Sequence, residues 1–361
     1  MEQTTRSETA RAARSRTAGL SPAGDRAYPG RVSISAIVTA GDGPASKLVY
    51  GDNKVYLEVG GRALVVRVVE VLQRVPEVSE VWIVGNPERL CELFSREDLR
   101  AEIHKPLHIV PQFRNLYENA WQTFRRLLPG AGIDGRDPKA DEIDRAVLYI
   151  SGDLPFATPQ EISEFIRRGT ALDCDYAVGL VSEESVEDFQ PSAAGEPGIQ
   201  IAYFNLREGR FRQSNLHLAK PARIGNRHYI EDMYEHRYQK EFGHIAGMAW
   251  TILRSEQGGL QILFLYFLIH LAGVANRHGF QRIADVFRRL VPMKAVERAI
   301  SSLLRTEYRF VTTEAGGCAV DVDKESEFDV AELRFDEWSA AQAEKAERLY
   351  GPPALPPGES A

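Results

Sequence analysis

Cysteine is scarce in this chain, which has only Cys91, Cys174 and Cys318 among its 361 residues. The three lie far apart in the sequence, so they do not form the close pairs that hold structural zinc. An odd number also leaves one thiol outside any disulfide pairing. The sequence therefore excludes a zinc ribbon and a disulfide-stapled scaffold, and it predicts buried, reduced thiols in a cytoplasmic protein.

Long hydrophobic runs are also missing. The most apolar stretch, residues 260–275, is shorter than the roughly 20 residues that cross a bilayer, and it contains His270 and Gly273. We expect a buried helix and no transmembrane segment here. The alternative is a helix that makes a weak contact with a membrane surface or a partner. Residues 1–30 lack the hydrophobic segment of a secretory signal and are expected, like residues 351–361, to form a disordered tail.

Positive charge does not dominate the chain, whose formal net charge is -7 and whose pI is about 5.7. A protein that binds nucleic acid through its overall field is basic, so we expect no nucleic-acid partner. Several motifs are absent as well: there is no P-loop and no G-x-S-x-G elbow, and Ser46 stands where a dinucleotide fingerprint needs its third glycine. A bound phosphate would have to be held by local groups.

What the sequence does contain is a β-branched apolar run, residues 34–38, followed by Gly41 and Gly43, with Lys47 and Lys54 nearby. Such a run predicts a strand buried on both faces. Glycines let backbone N–H groups approach an anion closely, and the lysines would add positive charge. The stretch therefore predicts a phosphate-holding loop, with an ordinary strand-to-helix turn as the alternative.

Apolar runs of strand length alternate with segments of helical periodicity along the rest of the chain. This pattern predicts an α/β fold with a doubly wound, mostly parallel sheet and a largely helical insertion. The expected strands after the first are residues 81–84, 108–110, 146–150, 176–181, 308–313 and 318–322. The expected divisions are a nucleotide-binding half at 31–190, an acceptor-binding, largely helical insertion at 191–306, and a return to the sheet with a C-terminal helix at 307–350.

Acidic residues follow two of the expected strands. Asp153 comes after the strand 146–150, and Asp321 and Asp323 stand at the end of the late strand, 318–322. Ligands of open α/β sheets bind outside the carboxyl ends of the strands, and carboxylates there suit Mg²⁺. The alternative is that each aspartate only caps a turn or a helix.

Four segments, in order, resemble the MobA-like NTP transferases, a nucleotidyltransferase group with a GT-A-type fold. They are Thr39-Ala40-Gly41-Asp42-Gly43 with Asn53-Lys54, Asn115-Leu116-Tyr117-Glu118-Asn119, Ser151-Gly152-Asp153-Leu154-Pro155, and Val320-Asp321-Val322-Asp323. The resemblance implies that Ala40, Gly41, Gly43, Lys54, Asn119 and Gly152 bind the nucleotide. It further implies that Lys54 and Asp153 are catalytic and that Asp153 binds Mg²⁺ together with Asp321 or Asp323.

The chain also departs from the family pattern. Ala45 stands where the family has an arginine, so Lys47 would have to bind the nucleotide in its place. Asn215 and Lys220 lie where the family builds its acceptor pocket, and Lys220 could meet a second phosphate. Its alternative is a solvated lysine before a turn.

The resemblance and the residues together predict a Mg²⁺-dependent enzyme that joins an NMP from an NTP to a phosphorylated acceptor and releases pyrophosphate. The acceptor would be a sugar phosphate, a polyol phosphate or a cofactor precursor. Two alternatives remain at this point: a glycosyltransferase of the same fold that uses a nucleotide sugar, and a non-catalytic nucleotide-binding protein associated with a membrane or a partner.

Overall fold

The structure is a computed structural model that describes residues 32–43, 48–192, 194–227, 229–230 and 259–354. Ala45 and Lys47 lie outside the described residues, as do the N-terminal segment 1–30 and the last residues of the C-terminal one. Part of the predicted helical insertion, residues 231–258, also lies outside them.

The central strand is β1, Ile34–Ala40, which is buried along almost all of its length. Successive side chains point to opposite faces of a strand, and here both faces pack in apolar layers. Val38 belongs to one layer and Ile37 to the other. Burial on both sides explains why this strand is apolar throughout and does not alternate, and the prediction of a doubly buried strand is confirmed.

Eight strands of the described residues form one sheet. From one edge to the other they are β12 (Tyr308–Thr313), β9 (Tyr176–Ser182), β11 (Gly209–Ala219), β8 (Val147–Ser151), β1, β6 (Val78–Gly85) and β7 (Leu107–Pro111), with β10 (Phe204–Leu206) paired to β11. Two hairpins stand apart: β2 (Leu48–Val49) with β3 (Asp52–Asn53), and β4 (Glu58–Val59) with β5 (Arg62–Ala63). All main-sheet pairings are parallel except those of β11, which confirms a mostly parallel sheet.

The helices cover both faces of this sheet. They are α1 (Leu64–Gln73), α2 (Pro87–Phe94), α3 (Glu97–Glu102), α4 (Leu116–Leu127), α5 (Pro159–Ala171), α6 (Gly259–Arg277), α7 (Gln281–Arg289), α8 (Met293–Leu304), α9 (Glu325–Leu333) and α10 (Phe335–Tyr350). Val69 of α1 and Phe165 of α5 pack in the layer of Val38, whereas Phe124 of α4 packs with Ile37 on the other face. The doubly wound arrangement is thus confirmed.

The direction of winding changes next to β1. After β1, the chain forms β6 and β7 on one side of β1 in the sheet. The next strand of the main sheet, β8, lies on the other side of β1. Ligands of open α/β sheets bind at such a switch point, outside the carboxyl ends of the strands. In this protein that crevice lies where β1 ends at Ala40 and β8 ends at Ser151.

Two segments differ from their sequence-based predictions. Residues 204–219, assigned to the insertion, supply β10 and β11, and β11 lies between β8 and β9 in the main sheet. The strand expected at residues 318–322 is wrong: a short 3-10 turn, Gly317–Ala319, stands there instead. Ala319, Val320 and Val322 are buried because they pack in one apolar cluster with Phe156 and Trp338.

The apolar stretch 260–275 forms most of α6, which is helical as predicted but only partly buried. Leu265, Leu268 and Ala272 are buried, while Phe264 and Phe267 are exposed. A search of the described residues for a helix that could cross a membrane finds no candidate of sufficient length and hydrophobicity.

Candidate functional site

Asp153 stands directly beyond the carboxyl end of β8. The N–H of Gly152 donates to the carbonyl of Thr39, 3.0 Å away, which ties the end of β8 to the end of β1. A Cβ at Gly152 would lie 3.1 Å from that same oxygen, so glycine is needed for this close approach. Asp153 is 2% exposed, and Ser151 Oγ donates to its carboxylate.

A second segment, residues 316–323, brings Asp321 and Asp323 to the same place. The buried carboxylate of Glu161 in α5 accepts bonds from Thr313 Oγ1 at 2.8 Å and from the backbone N–H groups of Gly316 and Cys318, both at 3.1 Å. Gly316 has a φ of 98°, a left-handed conformation that favours glycine. Helix α5 therefore holds this segment in position, although it contributes no group to the acidic cluster itself.

The three aspartates form one cluster. A carboxylate oxygen from each of Asp153, Asp321 and Asp323 lies within 4.8 Å of the other two. Burial, followed by the charge of Asp153, raises the pKa of Asp321 above its usual value, while Arg212 acts in the opposite direction. The cluster thus concentrates negative charge at the switch point, as predicted for the ligands of a divalent cation.

Lys54 neutralises part of this charge. Its Nζ contacts Asp153 and lies 2.5 Å from Asp323 Oδ1. Burial on its own would lower the pKa of Lys54, but the carboxylates of Asp153 and Asp323 outweigh it and the pKa rises. The buried Asn53 places the lysine: its Oδ1 accepts from Val55 N at 3.1 Å, and its Nδ2 donates to Gly41 O at 3.0 Å.

Arg212 is a site residue that the sequence analysis missed. It lies on β11 opposite Val181, near the carboxyl end of β9, and its guanidinium donates to Asp321 Oδ1 at 2.8 Å. Only the insertion of β11 between β8 and β9 brings this arginine to the site. No motif marks it, and alternation along residues 209–219 would have been the one signal that the segment is a strand.

The loop after β1 is braced from the β7 side of the sheet. The N–H of Asp42 donates to Gln112 Oε1 at 2.7 Å, and a Cβ at Gly41 would lie 3.3 Å from that oxygen and 3.4 Å from Asn119 Nδ2. Neither Gly41 nor Gly43 has a φ in the left-handed region, so the sharp turn expected from them is not the reason for glycine. At Gly41, a Cβ would instead fit tightly against the side chains of Gln112 and Asn119.

Most of the predicted nucleotide and metal residues therefore meet at the switch point. Ala40, Gly41, Gly43, Asn119 and Gly152 surround the ends of β1 and β8, next to the cluster of Lys54 and the three aspartates. Lys47 lies outside the described residues.

The two predicted acceptor residues separate. Asn215 lies beside Leu216, which pairs with Ile150 near the carboxyl end of β8. Lys220 follows Ala219, which pairs with Val147 at the amino end of β8, and its Nζ lies 3.5 Å from Asp175 Oδ1. Because β11 runs antiparallel to its neighbours, Lys220 is at the opposite edge of the sheet from Asp153. The structure does not bring it to the site.

Comparison with known families agrees with this geometry. Residues 36–191 match the family model of the MobA-like NTP transferase domain, which confirms the resemblance given by the motifs. The matched segment contains Gly41, Lys54 and Asp153 and ends before Arg212 and Asp321.

Two individual proteins illustrate the similarity. The 2-C-methyl-D-erythritol 4-phosphate cytidylyltransferase of Chlorobium luteolum is 24% identical over 135 residues, which is 37% of this chain and 53% of the relative. The chain thus spans about half the length of that curated relative. A solved structure described as a hypothetical transferase from Thermus thermophilus has a TM-score of 0.50 and 21% identity, and the alignment covers 82% of this chain and 99% of that one. This likeness shows the fold.

Proposed function

We propose that this protein is a nucleotidyltransferase that transfers an NMP from an NTP to a phosphorylated acceptor and releases pyrophosphate. The observation that carries the proposal is the meeting of Lys54 with Asp153 and Asp323 beside the Gly41 loop, at the switch point of the sheet. The match of residues 36–191 to an NTP transferase domain supports it.

The chain supplies several groups for the triphosphate. Backbone N–H groups of the loop after Ala40 would bind phosphate oxygens, since a glycine at 41 leaves the backbone accessible. Asn53 hydrogen-bonds both to this loop and to the turn that begins at Lys54, so it holds the lysine next to the loop. Lys54 would then exchange a carboxylate partner for a phosphate oxygen and stabilise charge there.

The donor set fits a divalent cation. Three carboxylates, from Asp153, Asp321 and Asp323, approach one another within 4.8 Å, and burial, followed by the charge of Asp153, raises the pKa of Asp321 despite the opposing charges of Arg212 and Lys54. Oxygen donors of this kind are those that Mg²⁺ prefers. When bound, Mg²⁺ would supply charge neutralisation to phosphate oxygens.

The reaction needs little proton transfer from the protein. An acceptor phosphate is mostly dianionic near neutrality because its second pKa is about 6. Its oxygen attacks the α-phosphorus of the NTP, the bond to the bridging oxygen breaks, and pyrophosphate leaves with that electron pair. The residues of the site hold the two anions together and stabilise the developing charge, which is where most of the rate enhancement would arise.

The acceptor phosphate would be bound by Arg212, in place of Lys220. Arg212 is part-exposed, is anchored by Asp321 and projects from the strand next to β8. A guanidinium presents several N–H donors in one plane, so it can hold a carboxylate and still offer donors to a phosphate. The side chain of Asn215, near the same end of β8, would add a polar contact.

The experiment is an assay of pyrophosphate release from the pure full-length chain with each NTP, Mg²⁺ and a panel of sugar and polyol phosphates. The name of the curated relative makes CTP the first NTP to test. We expect one pairing to turn over, Asp153→Asn to abolish most of the activity, and Asp144→Asn, an exposed change, to retain it.

Four results would contradict the proposal. One is that no pairing releases pyrophosphate, and another is that Asp153→Asn remains fully active. Stabilisation by a nucleotide sugar, but by no NTP, in a thermal-shift assay would favour a glycosyltransferase instead. Nucleotide binding without turnover would favour a non-catalytic protein.

A further inference from the structure

An apolar surface lies on two adjacent helices, α6 and α7, which contribute no residue to the acidic cluster. Its large side chains are between 42% and 59% exposed and follow helical spacing, i, i+3 and i+10 on α6 and i, i+3 and i+7 from α7 to the residue after it. We call this set the hairpin surface; its exposed members are Phe264, Phe267 and Val274 of α6, Phe280 at the turn, and Ile283, Val286 and Leu290.

The opposite sides of the same helices are fixed to the protein. Leu265 and Leu268 of α6 pack in one buried cluster with Leu206 of β10 and Val291, which follows α7. The N–H of Arg207 donates to Val291 O at 2.8 Å, and Arg288 Nε donates to Leu206 O at 3.4 Å. Because these contacts hold the inner faces, the hairpin surface stays directed outward.

Positive charge borders the hairpin surface. Arg282 and Arg289 are exposed and each precedes an apolar member of the stripe on α7, so they lie about 100° from it around the helix. Residues 259–305 contain seven Lys and Arg against two acidic residues, a local balance of +5 in a chain whose net charge is -7. Both acids are engaged: Asp285 pairs with Arg288 at 3.2 Å, and Glu297 accepts from Phe310 N at 2.8 Å.

We propose that the hairpin surface binds the surface of an anionic lipid membrane, with α6 and α7 lying in the plane of the headgroups. A helix with an exposed apolar stripe and flanking arginines inserts its apolar side chains below the headgroups and pairs its arginines with lipid phosphates. The buried inner faces leave only one side of each helix available to lipid.

The charges favour lipid over a second copy of the chain. In a two-fold interface the same patch meets itself, so Arg282 and Arg289 of each copy would approach those of the other. The hairpin surface offers Asp285 as an acid, and Arg288 already neutralises it. Anionic headgroups supply the missing negative charge without that repulsion.

The test is co-sedimentation of the full-length chain with vesicles of phosphatidylcholine alone and of phosphatidylcholine mixed with phosphatidylglycerol. We expect binding to the mixed vesicles that weakens as salt is added. Each basic residue near such a surface is worth about a fivefold change in affinity, so Arg282→Glu with Arg289→Glu should weaken binding by about 25-fold or more. Val286→Asp should abolish it.

Two matched controls accompany these variants. Arg96→Glu with Arg100→Glu reverses two exposed charges near and on α3, and Leu333→Asp places a carboxylate at a residue of α9 that is 72% exposed. Both should bind vesicles like the wild type. Circular dichroism melting of every variant distinguishes loss of binding from loss of folding.

Three outcomes would overturn the proposal. Equal binding to both kinds of vesicle would show that the arginines do not pair with anionic headgroups. A dimer in light scattering that Val286→Asp dissociates, without vesicle binding, would make a second copy the occupant. A monomer that binds no vesicle would mean that the face is covered within the chain. None of these three outcomes depends on the transferase activity, which is measured separately in the assay with soluble acceptors.

Discussion

Lys54 Nζ lies 2.5 Å from Asp323 Oδ1, although 269 residues separate the two in the chain. The same ammonium contacts Asp153, so one side chain joins the loop after β1, the end of β8 and the segment before α9. The charge balance of the site therefore depends on Lys54 as much as on the aspartates.

Replacing Lys54 by methionine should lower the free energy of unfolding and increase the stabilisation that Mg²⁺ gives. Asp153 is almost fully buried, and breaking a buried ion pair costs about 3 kcal/mol because one charge stays uncompensated. Urea unfolding of Lys54→Met should show this loss in the free energy of unfolding, and Mg²⁺ should restore more of it than it adds to the wild type. Lys324→Met, at an exposed pair with Glu327, is the control. An unchanged stability would refute the pairing.

Variants of Arg212 and Lys220 distinguish two hypotheses, in which one or the other residue binds the acceptor phosphate. If Arg212 holds the acceptor phosphate, Arg212→Gln should raise the KM for the acceptor by about 10- to 100-fold, the range of a hydrogen bond to a charged group. The KM for the NTP should change little. Lys220→Met, at the far edge of the sheet, should leave both constants unchanged. A larger effect of Lys220→Met than of Arg212→Gln would contradict this assignment.

Glu161 should support metal binding without touching the metal. Glu161→Gln replaces one acceptor oxygen by an NH₂ group that faces backbone N–H groups of residues 316–318, so we expect a loss of about 2 kcal/mol in the free energy of unfolding. The segment carrying Asp321 and Asp323 should also become less well positioned. Titration calorimetry should then show weaker Mg²⁺ binding. Glu164→Gln, three residues along α5 and part-buried, is the matched control, and equal Mg²⁺ affinity in both variants would argue against positioning.

Stability should fall in mild acid because of His217. Burial lowers the pKa of His217 from 6.5 to about 4, so between these values the unfolded chain binds a proton that the folded protein does not. The contribution of His217 is complete above pH 6.5, decreases as the pH falls through this window and levels off near pH 4, a total of about 3 kcal/mol. His217→Gln should remove this part of the slope in urea titrations at several pH values. Tyr176→Phe keeps the half-buried imidazole and should retain the slope; a flat wild-type profile would contradict the prediction.

The residues that could be predicted are those whose role is local. The doubly buried β1 and the position of Asp153 after a strand follow from short stretches of chain, because burial patterns are set over a few residues. The meeting of Gly41 with Asp153 then follows from the rule that parallel strands share a carboxyl edge. The family motifs mark the same residues.

The errors concern segments whose role depends on distant partners. Residues 318–322 are apolar like a strand, yet their burial comes from Phe156 and Trp338 and not from a ladder. The segment 209–219 has polar and apolar residues in a pattern that did not suggest a central strand, because its neighbours β8 and β9 come from an earlier part of the chain. Alternation could have marked the segment as a strand, but nothing within it indicates which strands it pairs with.

The sequence by itself determined the fold class, the loop after β1 and the acidic residues of the site, since these depend on hydrophobic pattern and on which side chains can bind phosphate or a divalent cation. Only the tertiary structure decided that Arg212 joins the site and that Lys220 does not. The reason is the antiparallel insertion of β11: it directs the start of that strand to the carboxyl edge of its neighbours and its end to the opposite edge.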